Sequence, residues 1–131
     1  PCHVTDCLPE EYIYGEFVDT VATRGGAVLK MRGYSSAASA ASASLDCMRN
    51  WIYGTEEDTW VSMAIPVPES RPYGIEPGIF FSFPVTVDRD GVVHIVEGLE
   101  NNEWVQQKIR ATAEELVNEK QSAFQLLGIE N

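Results

Sequence analysis

The sequence predicts an α+β domain in which long helices pack on one twisted antiparallel sheet. Three observations predict it. Apolar residues recur at three- and four-residue steps in the opening stretches and again near the end. Between them lie two alternating segments rich in β-branched and aromatic residues, separated by a proline-dense loop. A turn signal, Asp88-Arg89-Asp90-Gly91, then joins the second of these to a third.

Taken in order, Tyr14, Phe17, Val18, Val21, Gly25, Val28 and Leu29 fall on one helical face. Pro9 suits the first turn of this helix, and Glu10 and Glu11 suit its positive end. Gly25-Gly26 weakens the helix and suggests a bend or a closely packed backbone there. Gly33 is expected to end it, and Ser35 or Ser36 to cap the next. Residues 35–44 are entirely Ser and Ala. Composition alone allows a linker, but Ala is the best helix former, and Ala38, Ala41, Leu45, Met48 and Ile52 continue a helical stripe through the segment. Gly54 closes this helix. Residues 60–67 alternate and read as a strand, and Pro66, Pro68 and Pro72 mark the loop that follows. Residues 79–87 form a second strand, in which Pro84 suggests a sheet edge or a bulge. Residues 92–96 pair back across the turn, completing a meander. Asn101 or Asn102 is expected to cap a last helix with the buried stripe Val105, Ile109, Ala113, Leu116, Ala123 and Leu127.

Composition excludes several classes. Hydrophobic residues make up 44% and charged residues 22%, a globular balance that 131 residues suit to a single domain. The net charge of −11 makes the chain a poor ligand for nucleic-acid phosphates. Apolar runs such as Ile79-Phe80-Phe81 are too short to span a membrane, and no secretory signal opens the chain. Pro1 is not a natural initiator, so an upstream segment is expected. The odd set Cys2, Cys7 and Cys47 is not a disulfide framework and reads as reduced thiols. The Cys2, His3, Cys7 spacing matches no zinc pattern, so no metal is expected.

Few residues carry chemistry on their own. There is no GxGxxG, P-loop, GxSxG or HExxH. His94 lies on the strand face opposite Val93 and Ile95, with no obvious partner to orient its ring, and reads as structural. His3 lies at an end of the chain, where disorder is expected. Glu56, Glu57 and Asp58 read as a solvated turn, and Glu97 as a strand end. Trp51, Trp60 and Trp104 are widely spaced and fit core roles. These residues by themselves specify no catalytic site.

A set of sequence blocks adds a resemblance. Residues 24–30 (RGGAVLK) and 35–40 (SSAASA) are followed by 60–63 (WVSM), 73–75 (YGI), 81–85 (FSFPV), 95–99 (IVEGL) and 111–116 (ATAEEL). In this order and spacing they resemble the C-terminal, substrate and dimerisation domain of cytosolic-type malate dehydrogenases. The resemblance covers nearly all of the chain. It implies the fold expected above in an N-terminally truncated form, residues 1–131 being the C-terminal part and the dinucleotide-binding domain lying outside. It implies a parent enzyme that interconverts malate and oxaloacetate by hydride transfer with NAD, NADP not being excluded. It also implies a homodimer formed partly by the helix over residues 12–32, a cytoplasmic location, and no nucleic-acid or membrane partner.

The family's Gly-rich loop, carboxylate-binding arginines and His–Asp pair have no counterpart here, so no catalytic residue is assigned and the isolated chain is expected to be inactive. Two positions carry over. Ser36 matches a position facing the substrate, where a hydroxyl at a helix N-terminus suits a dicarboxylate; its plain alternative is an N-cap. Ala40 matches a small position beside the nicotinamide; its plain alternative is helix packing. Two other readings of the whole chain stand beside this one: a stand-alone dimerisation or partner-binding module without catalysis, and a lactate-type dehydrogenase on the same scaffold.

Overall fold

The computed structural model describes residues 4–129. The chain divides at Leu45/Asp46 into two compact units.

The first unit is helical. A short helix that the sequence pattern does not signal, α1 (Val4–Cys7), precedes Pro9, which occupies the N-cap of α2 (Glu10–Tyr12). Helical backbone continues through a π-helical stretch, Ile13–Phe17, into α3 (Val18–Arg32). The irregularity therefore sits at this π stretch, a device usual for single turns inside a helix. At Gly25-Gly26 there is no break, and a Cβ built on either glycine meets nothing within 4 Å. The close approach expected there is not made by any described residue. Lys30 and Arg32 complement the negative end of α3, which closes at Gly33.

The Ser/Ala segment is helical, as its alanines require. It opens α4 (Ala38–Tyr53). Gly54 ends α4 at φ 82°, and a Cβ there would stand 3.0 Å from the Val87 carbonyl oxygen. Conformation and space both demand glycine at this position. The next residue ties the helix end to the sheet: Thr55 donates its backbone N–H to the Val87 carbonyl at 2.9 Å, and its hydroxyl accepts from the Val87 N–H at 3.2 Å.

The second unit holds the sheet. Strands β1 (Val61–Pro66), β2 (Phe80–Val87) and β3 (Val93–Ile95) form an antiparallel meander in the order β1-β2-β3. The register places Met63 opposite Phe83, Val61 opposite Val85, and Val85 opposite Ile95. Because side chains alternate, one face gathers Met63, Phe83, Val85 and Val87, which are buried together with Val67 and Ile75. Ile109 and Ala113 of α5 (Glu103–Leu127) pack against that core. On the opposite face the Ser62 and Ser82 hydroxyls meet at 3.2 Å.

Pro84 is not on an edge strand or a bulge. It sits in central β2, paired with Ser62 on β1. The fold tolerates it because β3 ends at Ile95, one residue before the position opposite Pro84. The Pro84 carbonyl still accepts from the Val96 N–H at 2.9 Å. Proline has no N–H to return to the Val96 carbonyl, and the Tyr73 hydroxyl supplies that hydrogen bond instead, at 2.5 Å. Arg71 and Tyr73, both left-handed at φ 54° and 56°, shape the loop that delivers this side chain.

Asn102 caps α5, its side chain accepting from the Val105 N–H at 2.9 Å. The half-buried stripe of α5 follows expectation through Val105, Ile109, Ala113 and Leu116. It then passes to Val117, Lys120 and Phe124, and leaves Ala123 and Leu127 exposed. A Cβ on Gly78 would meet the Lys120 ammonium at 3.1 Å, so the Lys120 stem lies over the loop before β2. The tryptophans depart from their expected core role: Trp51 and Trp60 are about half exposed and Trp104 is partly buried. No described residue of α1 to α5 is buried. Among the described residues no helix is long and apolar enough to cross a membrane.

Candidate functional site

The site the sequence points to lies in the first unit, at the joint between α3 and α4. Ser36 is partly covered, whereas Ala40, one turn further on, is exposed. The Ser36 hydroxyl bonds the Ser39 hydroxyl at 2.9 Å. Ser36 thus enters a side-chain pair rather than the simple backbone cap expected of it. Its carbonyl accepts from the Ala38 N–H and, at 3.4 Å, from Nη1 of Arg32. Between them Ala37 adopts φ 48°, a left-handed conformation uncommon for a residue with a Cβ. The Arg32 guanidinium also lies over the Tyr34 ring, 5.0 Å from its centroid.

Electrostatically this corner is unlike the rest of an acidic chain. The first turn of α4 contains no acidic residue, its N-terminus carries the positive end of the helix dipole, and Arg32 adds a full charge. Ala40 offers a methyl group, and the nearby Ser44 hydroxyl folds back onto the Ala40 carbonyl at 2.9 Å. Ser39 and Arg32 were not singled out from the sequence. The available signals were a hydroxyl three residues after Ser36 and a cation in the last turn of the preceding helix.

Other chemistry-bearing residues do not assemble a site. His94 does have an orienting partner, contrary to expectation: its Nε2 lies 3.1 Å from Oδ2 of Asp88. The other oxygen of Asp88 accepts the N–H groups of Asp90 and Val92, each at 2.9 Å, and so fastens the hairpin turn. The Val92 N–H, followed by the His94 imidazole, holds the Asp88 carboxyl below its ordinary value. Both side chains are substantially exposed, so the pair acts as a turn clasp. Glu56, Glu57 and Asp58 are exposed, as expected of a solvated turn. Cys7 and Cys47 are exposed, while Cys2 and His3 lie outside the described residues. Among the described residues no group of acidic, Cys or His side chains is arranged to hold a metal. A hollow of about 450 Å³ beside α5 is lined by Ile75, Ile79, Ala113 and Val117 together with the charged Glu76, Arg110 and Glu114.

Comparison with known proteins gives this geometry its context. The profile described as lactate/malate dehydrogenase, alpha/beta C-terminal domain, matches residues 4–127. The chain belongs to the lactate/malate dehydrogenase family and carries that family's C-terminal domain. It is 47% identical over 122 residues to the malate dehydrogenase of Cutibacterium acnes, covering 93% of this chain and 36% of that protein. To the malate dehydrogenase of Corynebacterium efficiens it is 45% identical over 124 residues, covering 95% and 37%. The chain thus spans little more than a third of the length of these relatives. Among solved structures, Trichomonas vaginalis lactate dehydrogenase in complex with NADH and oxamate matches with a TM-score of 0.90 at 41% identity, over 95% of this chain and 38% of that one. Naegleria fowleri malate dehydrogenase matches with a TM-score of 0.79 at 41% identity, over 92% and 35%.

Proposed function

We propose that this chain is the C-terminal, substrate-facing portion of a malate dehydrogenase that interconverts malate and oxaloacetate with NAD, or alternatively NADP, as hydride carrier. The observation that carries the reading is 45% and 47% identity, across almost the whole chain, to two proteins named malate dehydrogenase. When bound, the nicotinamide supplies the redox chemistry. In this reading the residues of the chain bind and shape. The Ser36 hydroxyl donates to a substrate oxygen, and the acid-free N-terminus of α4 with Arg32 favours the dianion. The exposed Ala40 methyl takes the face of the nicotinamide ring. The dinucleotide-binding domain, the arginines that clamp the carboxylates and the residues that move the hydroxyl proton belong to parts of the enzyme outside these 131 residues. The working form is a cytoplasmic homodimer.

A second reading is a lactate-type dehydrogenase. It is favoured by the fit to the Trichomonas vaginalis lactate dehydrogenase, whose TM-score of 0.90 exceeds the 0.79 to the Naegleria malate dehydrogenase.

The test is steady-state reduction of oxaloacetate and of pyruvate with NADH and NADPH. It compares the 131-residue chain, a full-length dehydrogenase containing it, and the full-length Ser36→Leu variant. Expected are no turnover by the chain alone, a strong preference of the full enzyme for oxaloacetate, and a loss in kcat/KM of about tenfold or more in the variant. The thermal midpoint should change little, since the lost hydroxyl bond is worth only about 1 kcal/mol. Unchanged kinetics with a large stability loss would make Ser36 merely structural, and preference for pyruvate would select the second reading.

A further inference from the structure

We infer that Ser39 is a positioning residue: its hydroxyl holds the Ser36 hydroxyl in the orientation that donates a hydrogen bond to an anionic substrate. The inference rests on the reading above, in which Ser36 faces the substrate, and adds a residue to it.

The geometry is that of a short relay. Ser36 Oγ and Ser39 Oγ are 2.9 Å apart, and either can be the donor. A serine hydroxyl has one proton to give and lone pairs that accept. If Ser36 donates to Ser39, Ser36 can only accept, and it meets a carboxylate with lone pairs against lone pairs. If Ser39 donates to Ser36, the single proton of Ser36 is released toward the substrate. An anion bound at Ser36 therefore selects the second arrangement, in which Ser39 is the donor behind the donor. A hydroxyl polarised by accepting one hydrogen bond also donates a stronger one.

The backbone prepares the same outcome. The Ser36 carbonyl is held by the Ala38 N–H and by Arg32, whose guanidinium is itself braced over Tyr34. The left-handed turn at Ala37 then places Ser36 beside the first turn of α4, so that a residue three positions on reaches its hydroxyl. Ser36 is fixed through its main chain, which leaves the rotation of its hydroxyl as the remaining freedom, and Ser39 is the described side chain that restricts it.

The experiment uses the full-length dehydrogenase containing this chain, with Ser36→Ala, Ser39→Ala, the double variant and Ser39→Thr. Alanine favours helix at Ser39, and Ser36 lies before the first turn of α4, so at most a cap of about 1 kcal/mol is lost, and thermal midpoints check that folding is retained. Expected is a rise in KM for oxaloacetate of about three- to tenfold in Ser39→Ala, the scale of one neutral hydrogen bond, with a smaller change in kcat. Ser39→Thr restores KM because it restores the hydroxyl. The double variant is no worse than Ser36→Ala, since Ser39 acts only through Ser36. If Ser36→Ala leaves KM unchanged, the substrate-facing reading of Ser36 fails and this inference falls with it. If Ser36→Ala raises KM but Ser39→Ala does not, or the two effects add in full, Ser36 stands and the positioning role of Ser39 is overturned.

Discussion

At the scale of single residues, Tyr73 repairs the gap that Pro84 makes in the ladder. Its hydroxyl bonds the Val96 carbonyl, and its ring stacks on Phe83, centroids 6.2 Å apart. Tyr73→Phe keeps the ring and orphans the carbonyl, so it should destabilise the fold by about 1–2 kcal/mol in chemical denaturation, with an unchanged m-value. A loss below about 0.3 kcal/mol would mean that water replaces the hydroxyl at no cost. Partial burial chiefly raises the Tyr73 pKa, with the Glu97 charge adding to it and the Leu99 backbone opposing. A raised pKa means that the folded state holds the proton more tightly. The contribution is therefore complete below pH 10.0, the ordinary value, and is lost as pH climbs through the folded value. Neither role was legible in the sequence. Pro84 announced that a donor was missing, but which side chain replaces it depends on a loop with two left-handed residues that no periodicity encodes. The same holds at Ser36: its resemblance marked the position, whereas its pairing with Ser39 needed coordinates.

At the scale of elements, the hairpin between β2 and β3 concentrates several requirements in a few residues. The Asp88 carbonyl accepts from the Gly91 N–H at 3.1 Å, Gly91 stands at φ 80°, and the Asp88 carboxylate clasps the turn from within. Asp88→Asn preserves an oxygen acceptor for the two N–H groups and removes the charge facing His94. Asp88→Ala removes both. The carboxyl pKa is lowered in the fold, so its stabilisation is present above the ordinary value of 3.8 and is lost as pH falls through the folded value. The thermal midpoint of the parent chain should therefore exceed that of Asp88→Asn at neutral pH, and the gap should close as pH falls below about 3.8. Asp88→Ala should be the least stable at neutral pH. A gap independent of pH would remove the carboxylate from the account. The turn itself was legible, because Asp and Gly at those positions have few other uses. So were the strands, whose alternation fixes which face is buried, and α5, whose cap is as expected and whose stripe holds as far as Leu116. The helix irregularity was misplaced, because glycine composition pointed to Gly25-Gly26 whereas the π stretch begins at Ile13. The tryptophans were misread because size argues for burial without saying against what.

At the scale of the whole molecule, the buried core is confined to Met63, Val67, Ile75, Phe83, Val85 and Val87, all in the second unit. The helices that precede the sheet keep much of their apolar stripes in solvent. Phe17, Val21 and Leu29 are each half exposed or more, Leu45 is 71% exposed and Ile52 59%. The stripes are organised, helix by helix, so they call for specific partners rather than for general stickiness. The net charge of −11 works in the same direction by opposing indiscriminate clumping. The expected outcome is that the isolated 131-residue chain forms defined dimers as its concentration rises. Sedimentation equilibrium over a hundredfold concentration range measures this, and high salt should lower the dissociation constant by screening the like charges of the two copies. A monomer that stays monomeric at high micromolar concentration and unfolds cooperatively would show that the helices close over their own apolar faces in solution. It would also move the reading away from part of a larger enzyme and toward a module that stands alone.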